Sequence, residues 1–286
     1  MAVRIDAVYC TRPRHAASDS RSLAAASAEM CLERGSGHGS VPLIVYAGVY
    51  RDGNVVEPAQ APYAQRHLAE KQGVADNGFS FDVDQLMSGI EIADGMIRSQ
   101  GLDRAMVLAA DSAVSFVEGP RVQAAAGALL LAPSGGKEGF SAFRTDVFPE
   151  HRGLHDGCLV WTGSKDGDPR HEMVLAQGPG YLQACVLDAC ESVQAFCADV
   201  DLVLGGDTLV LPSQAPLGFP GALREALGLS EEAVVDVRDE LGPSLTAGPL
   251  LALERAVQDG RFDRARRVVF VTVSPGIIVS VASYQR

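Results

Sequence analysis

Aromatic residues make up only 6% of the 286 positions, and tryptophan occurs once, at Trp161. Such a chain cannot rest on large aromatic clusters; its plentiful Gly and Ala suit helices packed closely on a sheet. Long apolar runs are also missing. The best candidate, Val268 to Ala282, is broken by Thr272, Ser274, Pro275 and Gly276, and falls short of the roughly 20 residues a spanning helix needs. The N-terminus MAVRIDAVYC carries Arg4 and Asp6 where a signal peptide would need an apolar core. A soluble, cytoplasmic protein with no membrane partner is therefore expected. Basic charge is scarce as well: 24 Lys and Arg face 36 Asp and Glu, for a net charge of −12. That balance excludes a nucleic-acid partner, because phosphate binding needs clustered Lys and Arg. It also disfavours a broad docking face for acidic carrier proteins. Finally, none of the six cysteines (Cys10, Cys31, Cys158, Cys185, Cys190, Cys197) forms a C-x-x-C pair. Cys185, Cys190 and Cys197 share one expected helix with no His at ligand spacing near them, so buried free thiols are expected rather than a metal centre or disulfides.

What is present is a large apolar fraction, 47%, enough for one large domain or two fused halves. Strand and helix signals alternate. A short first strand precedes a helix over 22–34, which ends in a Gly-rich run. A buried strand over 41–50 precedes a Pro-containing loop over 57–63 and a helix over 63–71. The strand 79–83 leads into a helix over 85–99, for which Asp84 is the expected N-cap. Strands follow at 105–109 and 126–132. After a stretch rich in Gly and charge, 138–168, the pattern resumes. Strands are expected at 173–176, 209–211, 234–237, 268–273 and 277–282, with helices over 181–198, 220–227 and 250–259.

The two parts echo one another. LIVYAGV parallels TLVLPSQ, FSFDV parallels VVDV, DRAMVLAAD parallels ARRVVFVTV, and GALLLAPS parallels GIIVSVASY. Alternation of this kind predicts mostly parallel sheets with helices outside them. The expected α/β fold has two pseudo-duplicated halves, 1–155 and 156–286, stacked as a five-layer αβαβα sandwich.

Several ordered segments resemble the ketosynthase III (beta-ketoacyl-ACP synthase III) branch of the thiolase superfamily. They are IVYAGVYRDGNVVEPAQAP, FSFDVDQLMSGIEIADGMI, AGALLLAP, LVLPSQAPLGFPGALREALGL, VVDVRDELGPSLTAGPLLALERAVQDGR and VVFVTVSPGIIVSVASYQR. The resemblance implies the thiolase-like fold and dimerisation across a sheet edge. It also implies a site in which a Cys at a helix start takes an acyl group as a thioester, while a His and an Asn hold the extender's carbonyl. A thiolate at a helix N-terminus is stabilised by the dipole, and neutral donors stabilise the developing enolate.

At those positions this chain differs. The nucleophile motif reads Phe81-Asp82-Val83-Asp84-Gln85-Leu86-Met87-Ser88-Gly89, so Met87 stands at the Cys position. Ser213 replaces the His within Pro212-Ser213-Gln214-Ala215-Pro216, and Pro243 replaces the Asn after Gly242. The two lie 30 positions apart, as the family's layout implies. The C-terminal Gly-rich turn becomes Ser274-Pro275-Gly276, in which a Pro removes one N–H donor. A thioether carries no acyl group, and loss of one member of a cooperating set can cost on the order of 10⁴-fold. The expectation is a triad with no catalytic residues, and no cofactor.

Other features have plainer readings. Ser88 is a substitute nucleophile in one alternative, but it is rotated about 100° from the Cys position and has no obvious base. His151 and His155 are spaced for a metal on a helix, but Gly153, Pro149 and Gly157 point to a loop. His15, His38, His67 and His171 carry no pattern. Trp161 reads as a packing anchor, and Arg264, Arg266 and Arg267 as a solvated turn. Gly35 to Gly39 follows a helix and is no nucleotide loop. The resemblance, in layout and lost residues, is to the non-catalytic subunit of a heterodimeric condensing enzyme, the PqsB type. It implies a catalytic ketosynthase III-like paralogue as partner in specialised metabolite biosynthesis, with segment 57–63 shaping the partner's acyl tunnel. The alternatives are an acyltransferase of altered chemistry, or a homodimer that binds acyl-CoA or acyl carrier protein without turnover.

Overall fold

The computed structural model of the chain describes all residues except 13–18, 37–39, 51–58, 73–77, 120 and 166–167. In order, the elements are β1 (Ala2–Thr11), α1 (Ser20–Arg34), β2 (Leu43–Ala47), α2 (Gln60–Gln72), β3 (Phe79–Val83), α3 (Leu86–Gln100), β4 (Ala105–Asp111), β5 (Ser115–Phe116) and β6 (Ala125–Ser134). Then come β7 (Gly139–Val147), a 3-10 turn (Pro149–Leu154), β8 (His155–Lys165), β9 (Asp168–Gln177), α4 (Tyr181–Asp199), β10 (Thr208–Pro212) and α5 (Phe219–Ala226). A second 3-10 turn (Glu231–Ala233) precedes α6 (Arg238–Leu241), α7 (Gly248–Gln258), α8 (Arg261–Arg264), β11 (Arg267–Ser274) and β12 (Ile278–Gln285).

Two main sheets carry the fold. The first runs β1-β6-β4-β2-β3 and the second β10-β11-β12-β7. Helices α3 and α7 lie between them, their apolar faces joined in one core with Val45, Val107, Leu211 and Phe270. Helices α1 and α2 cover the outer face of the first sheet, and α4 and α5 that of the second. The layers therefore run helix, sheet, helix, sheet, helix. Every residue of β2 and β4 is buried, because both faces of the first sheet are covered, and such strands read as unbroken apolar runs.

Gly89 of α3 sets the closeness of this packing. A Cβ there would stand 3.1 Å from Val107 Cγ1 and 3.3 Å from Val45 Cγ1, so a side chain would push the helix off the sheet.

Several expectations need correction. The sheets are mixed rather than mostly parallel: β1/β6, β4/β6, β11/β12 and β7/β12 are antiparallel. The stretch 138–168 holds β7 and β8, which the sequence hides because β7 alternates charged and small residues over a half-covered surface. Strand β7 pairs with β12, so sheet membership changes between Ser134 and Gly139. Residues 234–237 form no strand, only a parallel bridge between Val234 and Val210. The helix expected from 63 begins at Gln60, where Pro62 in the first turn is tolerated; residues 57 and 58 of the expected loop lie outside the described residues. The α3 cap is Gln85, not Asp84, and it makes no side-chain capping bond. Among the described residues, no helix is long and apolar enough to cross a membrane.

Candidate functional site

A cavity of about 60 Å³ lies where the two halves meet. The start of α3 supplies Asp84, Gln85 and Leu86, and the segment after β2 supplies Val49 and Tyr50. The C-terminal half adds Ser213, Ala215 and Pro216 after β10, and Leu245 and Thr246 before α7. The β11–β12 turn closes one side with Ser274 and Pro275, and His155, Gln177 and Tyr181 form another.

Asp111 holds this arrangement. It is 4% exposed. Its Oδ1 accepts from the N–H groups of Val49 at 3.1 Å and Tyr50 at 3.0 Å, and its Oδ2 accepts from Thr246 N–H at 2.7 Å. One carboxylate thus pins wall segments from both halves. Burial pushes its pKa up, while the hydrogen bonds from Thr246, Tyr50 and Val49 pull the other way.

Of the three replaced family positions, only Ser213 lines the cavity. Its Oγ accepts from Val273 N–H at 3.0 Å and donates to Val273 C=O at 3.5 Å, so the hydroxyl is tied to β11. Met87, 2% exposed, points into the core between the sheets. Pro243 is half-buried and contributes no lining atom, although Leu245 and Thr246 just after it do. Ser88 is half-buried and also lies off the cavity wall. The next residue of the Gln-Ala-Pro run, Gln214, is fully buried and structural: its Nε2 donates to Pro212 C=O and Val235 C=O, each at 3.0 Å, and its Oε1 accepts from Val237 N–H at 3.0 Å.

The cavity nevertheless holds an imidazole, which the sequence reading assigned to a loop. His155 opens β8, directly after the 3-10 turn that carries His151. Its Nε2 lies 3.0 Å from Tyr50 Oη, and its ring packs on Tyr181 with centroids 5.2 Å apart. Burial lowers its pKa, and burial raises that of Tyr50, so at neutral pH the pair is imidazole and phenol. The Nδ1 atom is buried and has no hydrogen-bond partner among the described residues. No spacing rule marks a lone His at a strand start, so only the fold reveals it. His151 instead pairs with Asp188 at 2.7 Å, and the two histidines share no ligand site.

The remaining candidates sit elsewhere. His67 faces Glu29 at 3.6 Å, and His171 stands opposite Trp161 in the β8–β9 ladder. His15 and His38 lie outside the described residues, as do residues 37–39 of the Gly-rich run. Arg264 donates to Asp259 C=O at 3.4 Å, Arg266 is 3.8 Å from Asp207, and Arg267 donates to Gln285 at 3.0 Å. Among the described residues no group of His, Cys, Asp and Glu is arranged to hold a metal. Cys31 and Cys185 are buried, but Cys158 is exposed, against expectation, because it lies on the hairpin β8–β9. Cys185, one turn along α4 from Tyr181, has its pKa pushed up to about 12 by burial, and is a thiol at neutral pH. Among the described residues the lining therefore offers hydroxyls, amides, the carboxyl group of Asp84 and one neutral imidazole, but no thiol.

Comparison with known proteins places this geometry. Residues 207–285 match the family model described as 3-oxoacyl-[acyl-carrier-protein (ACP)] synthase III C terminal. The chain is 26% identical over 216 residues to the beta-ketoacyl-[acyl-carrier-protein] synthase III of Acidiphilium cryptum, covering 70% of this chain and 65% of that protein. The structure of 3-oxoacyl-(acyl carrier protein) synthase III, FabH, from Pseudomonas aeruginosa superposes with a TM-score of 0.78 at 18% identity, over 100% of this chain and 98% of that one. Xanthomonas campestris OleA, solved with lauric acid and lauroyl-CoA, gives a TM-score of 0.81 at 17% identity, over 100% and 99% of the chains. The chain thus has the fold of these ketosynthase III structures over its full length, and its C-terminal part, residues 207–285, is similar to the C-terminal region of that family.

Proposed function

We propose that this chain is a non-catalytic ketosynthase III-like subunit, which assists a catalytic paralogue in a condensing enzyme. The observation that carries the reading is the cavity itself. The thioether of Met87 is turned into the core, Ser213 is tied to the backbone of β11, and Pro243 contributes nothing to the lining. Among the described lining residues no group can take an acyl chain as a thioester. The volume of about 60 Å³ is also far below the roughly 300 Å³ or more of a small-molecule site.

A surface suited to a partner is present on the other side of α3. Strand β3 ends the first sheet, and an edge strand offers unpaired N–H and C=O groups to another chain. Phe79 and Phe81 on that edge are 55% and 41% exposed. Asp82, directly after Phe81, caps α2, accepting from the N–H groups of Gln60 and Ala61 at 3.2 and 3.1 Å. The partner in this reading retains Cys, His and Asn, segment 57–63 lies against its acyl tunnel, and the product is a specialised metabolite built on a fatty or polyketide acyl group. The arrangement is that of the PqsB-type subunit.

The test is co-expression with a neighbouring condensing enzyme, followed by size-exclusion chromatography and an acyl-CoA turnover assay. A 1:1 complex, active only through the partner's Cys, is expected. A stable homodimer that never captures that enzyme overturns the proposal, as does turnover by this chain alone. An acyl adduct on this chain by intact mass, lost in Ser88→Ala, would establish altered chemistry instead.

A further inference from the structure

The cavity does not stand alone. An open groove of about 610 Å³ runs along the surface beside it, lined by Gly178, Leu182, Val186 and Leu187. Gln177 and Tyr181 line both spaces, so these two residues stand between the wide groove and the small cavity. Tyr181 provides its bulk. It is 5% exposed and its ring lies against His155. Behind it, Tyr50 Oη fixes His155 Nε2 at 3.0 Å, while Gln177 stands opposite His155 in the β8–β9 ladder.

The polar accounting of this wall is incomplete. A phenol is the stronger hydrogen-bond acid and an imidazole nitrogen the stronger base, so Tyr50 donates to Nε2 and the proton of the neutral ring sits on Nδ1. That Nδ1–H is buried and meets no acceptor among the described residues. A buried donor left unsatisfied is a standing penalty on the closed packing. The wall is thus held by ring packing and one hydrogen bond, and its polar groups would be better served in another arrangement.

We propose that Tyr181, backed by the Tyr50–His155 pair, is a plug that determines access to the cavity. With the plug in place the cavity admits guests of water size. With the ring removed, groove and cavity join into one channel that takes a thin, uncharged, unbranched chain, whose carbonyl oxygen accepts from His155 Nδ1–H. The plug belongs to this chain alone, and stands whether or not the chain pairs with a catalytic partner.

The experiment measures binding of S-octanoyl-N-acetylcysteamine by saturation-transfer NMR and calorimetry to the full chain, alone and in any complex it forms. The parent protein is expected to show no saturable binding. Tyr181→Val is expected to bind at least tenfold more tightly than the parent, and Tyr181→Phe, which keeps the ring, to behave as the parent does. In Tyr181→Val the His155 ring resonances should shift on adding the probe, and the double variant Tyr181→Val/His155→Phe should lose most of the gain. Thermal melts establish that each variant is folded, and Tyr181→Leu replaces the valine variant if that one does not fold. Parent binding as tight as that of the variant overturns the proposal. So does a folded Tyr181→Val or Tyr181→Leu with no gain. A failed complex test with a working plug removes only the partner reading, and the reverse result removes only the plug.

Discussion

Strand β3 and residues 234–237 hold equivalent places in the two halves, each beside the first parallel strand of its sheet, yet they are finished differently. Strand β3 pairs with β2 through five residues, Leu43↔Phe79 to Ala47↔Val83, and leaves its far side open with two exposed phenylalanines. In the C-terminal half the ladder shrinks to the single bridge Val210↔Val234. The carboxamide of Gln214 takes over, bonding Val235 C=O and Val237 N–H as a strand would. One half ends in an edge strand with exposed phenylalanines, and the other is sealed by a buried side chain.

The comparison can be broken most sharply at the contact that joins the halves. Asp111→Ala leaves the N–H groups of Val49, Tyr50 and Thr246 without their acceptor. Relief of the buried charge offsets part of that loss. A net destabilisation of about 3 kcal/mol is expected in urea unfolding, with Asp111→Asn milder. Gln214→Leu keeps the volume but strands Val235 C=O and Val237 N–H. It should cost about 2 kcal/mol and raise hydrogen exchange at Val237, while the β3 edge keeps its protection. The converse change, Phe79→Glu with Phe81→Lys, alters an exposed edge and should move stability by about 0.5 kcal/mol or less. It should nevertheless abolish any association through β3, read by analytical ultracentrifugation. A partner that still binds would place the interface elsewhere.

The smallest effect concerns pH. Burial holds the His155 pKa below its usual 6.5. Between that lowered value and 6.5 the unfolded chain binds more protons than the folded one, so stability is fully present above 6.5 and falls as the pH drops through this window. His155→Gln should flatten that slope. An unchanged acid profile would show that the imidazole is not held neutral by the wall.

Most of the frame was legible. The unbroken apolar runs of β2 and β4 announce strands covered on both faces, and the spacing of Leu86, Ile90, Ala93 and Ile97 announces α3. Strand β7 was hidden because only its first two residues are buried and the rest are half-buried or exposed, so it shows no apolar alternation. The segment 234–237 looked like a strand because Val234, Val235 and Val237 are buried, but burial here comes from packing on α7 and Gln214 rather than from a ladder. Motif positions located Met87, Ser213 and Pro243. They did not say that two of the three would be turned away from the cavity, since the helix rotation and the turn after Gly242, with φ 73°, are set by packing. His155 was missed as a cavity residue for the reason that its partner, Tyr50, is 105 positions away.

The hairpin that begins at His155 also carries Trp161, the chain's single tryptophan. With no second indole to contribute, intrinsic emission excited at the tryptophan edge is an optical signal from β8–β9 alone. A change in its intensity or wavelength when a partner or a guest is added is a local reading of the strand that delivers His155 to the cavity, and needs no label.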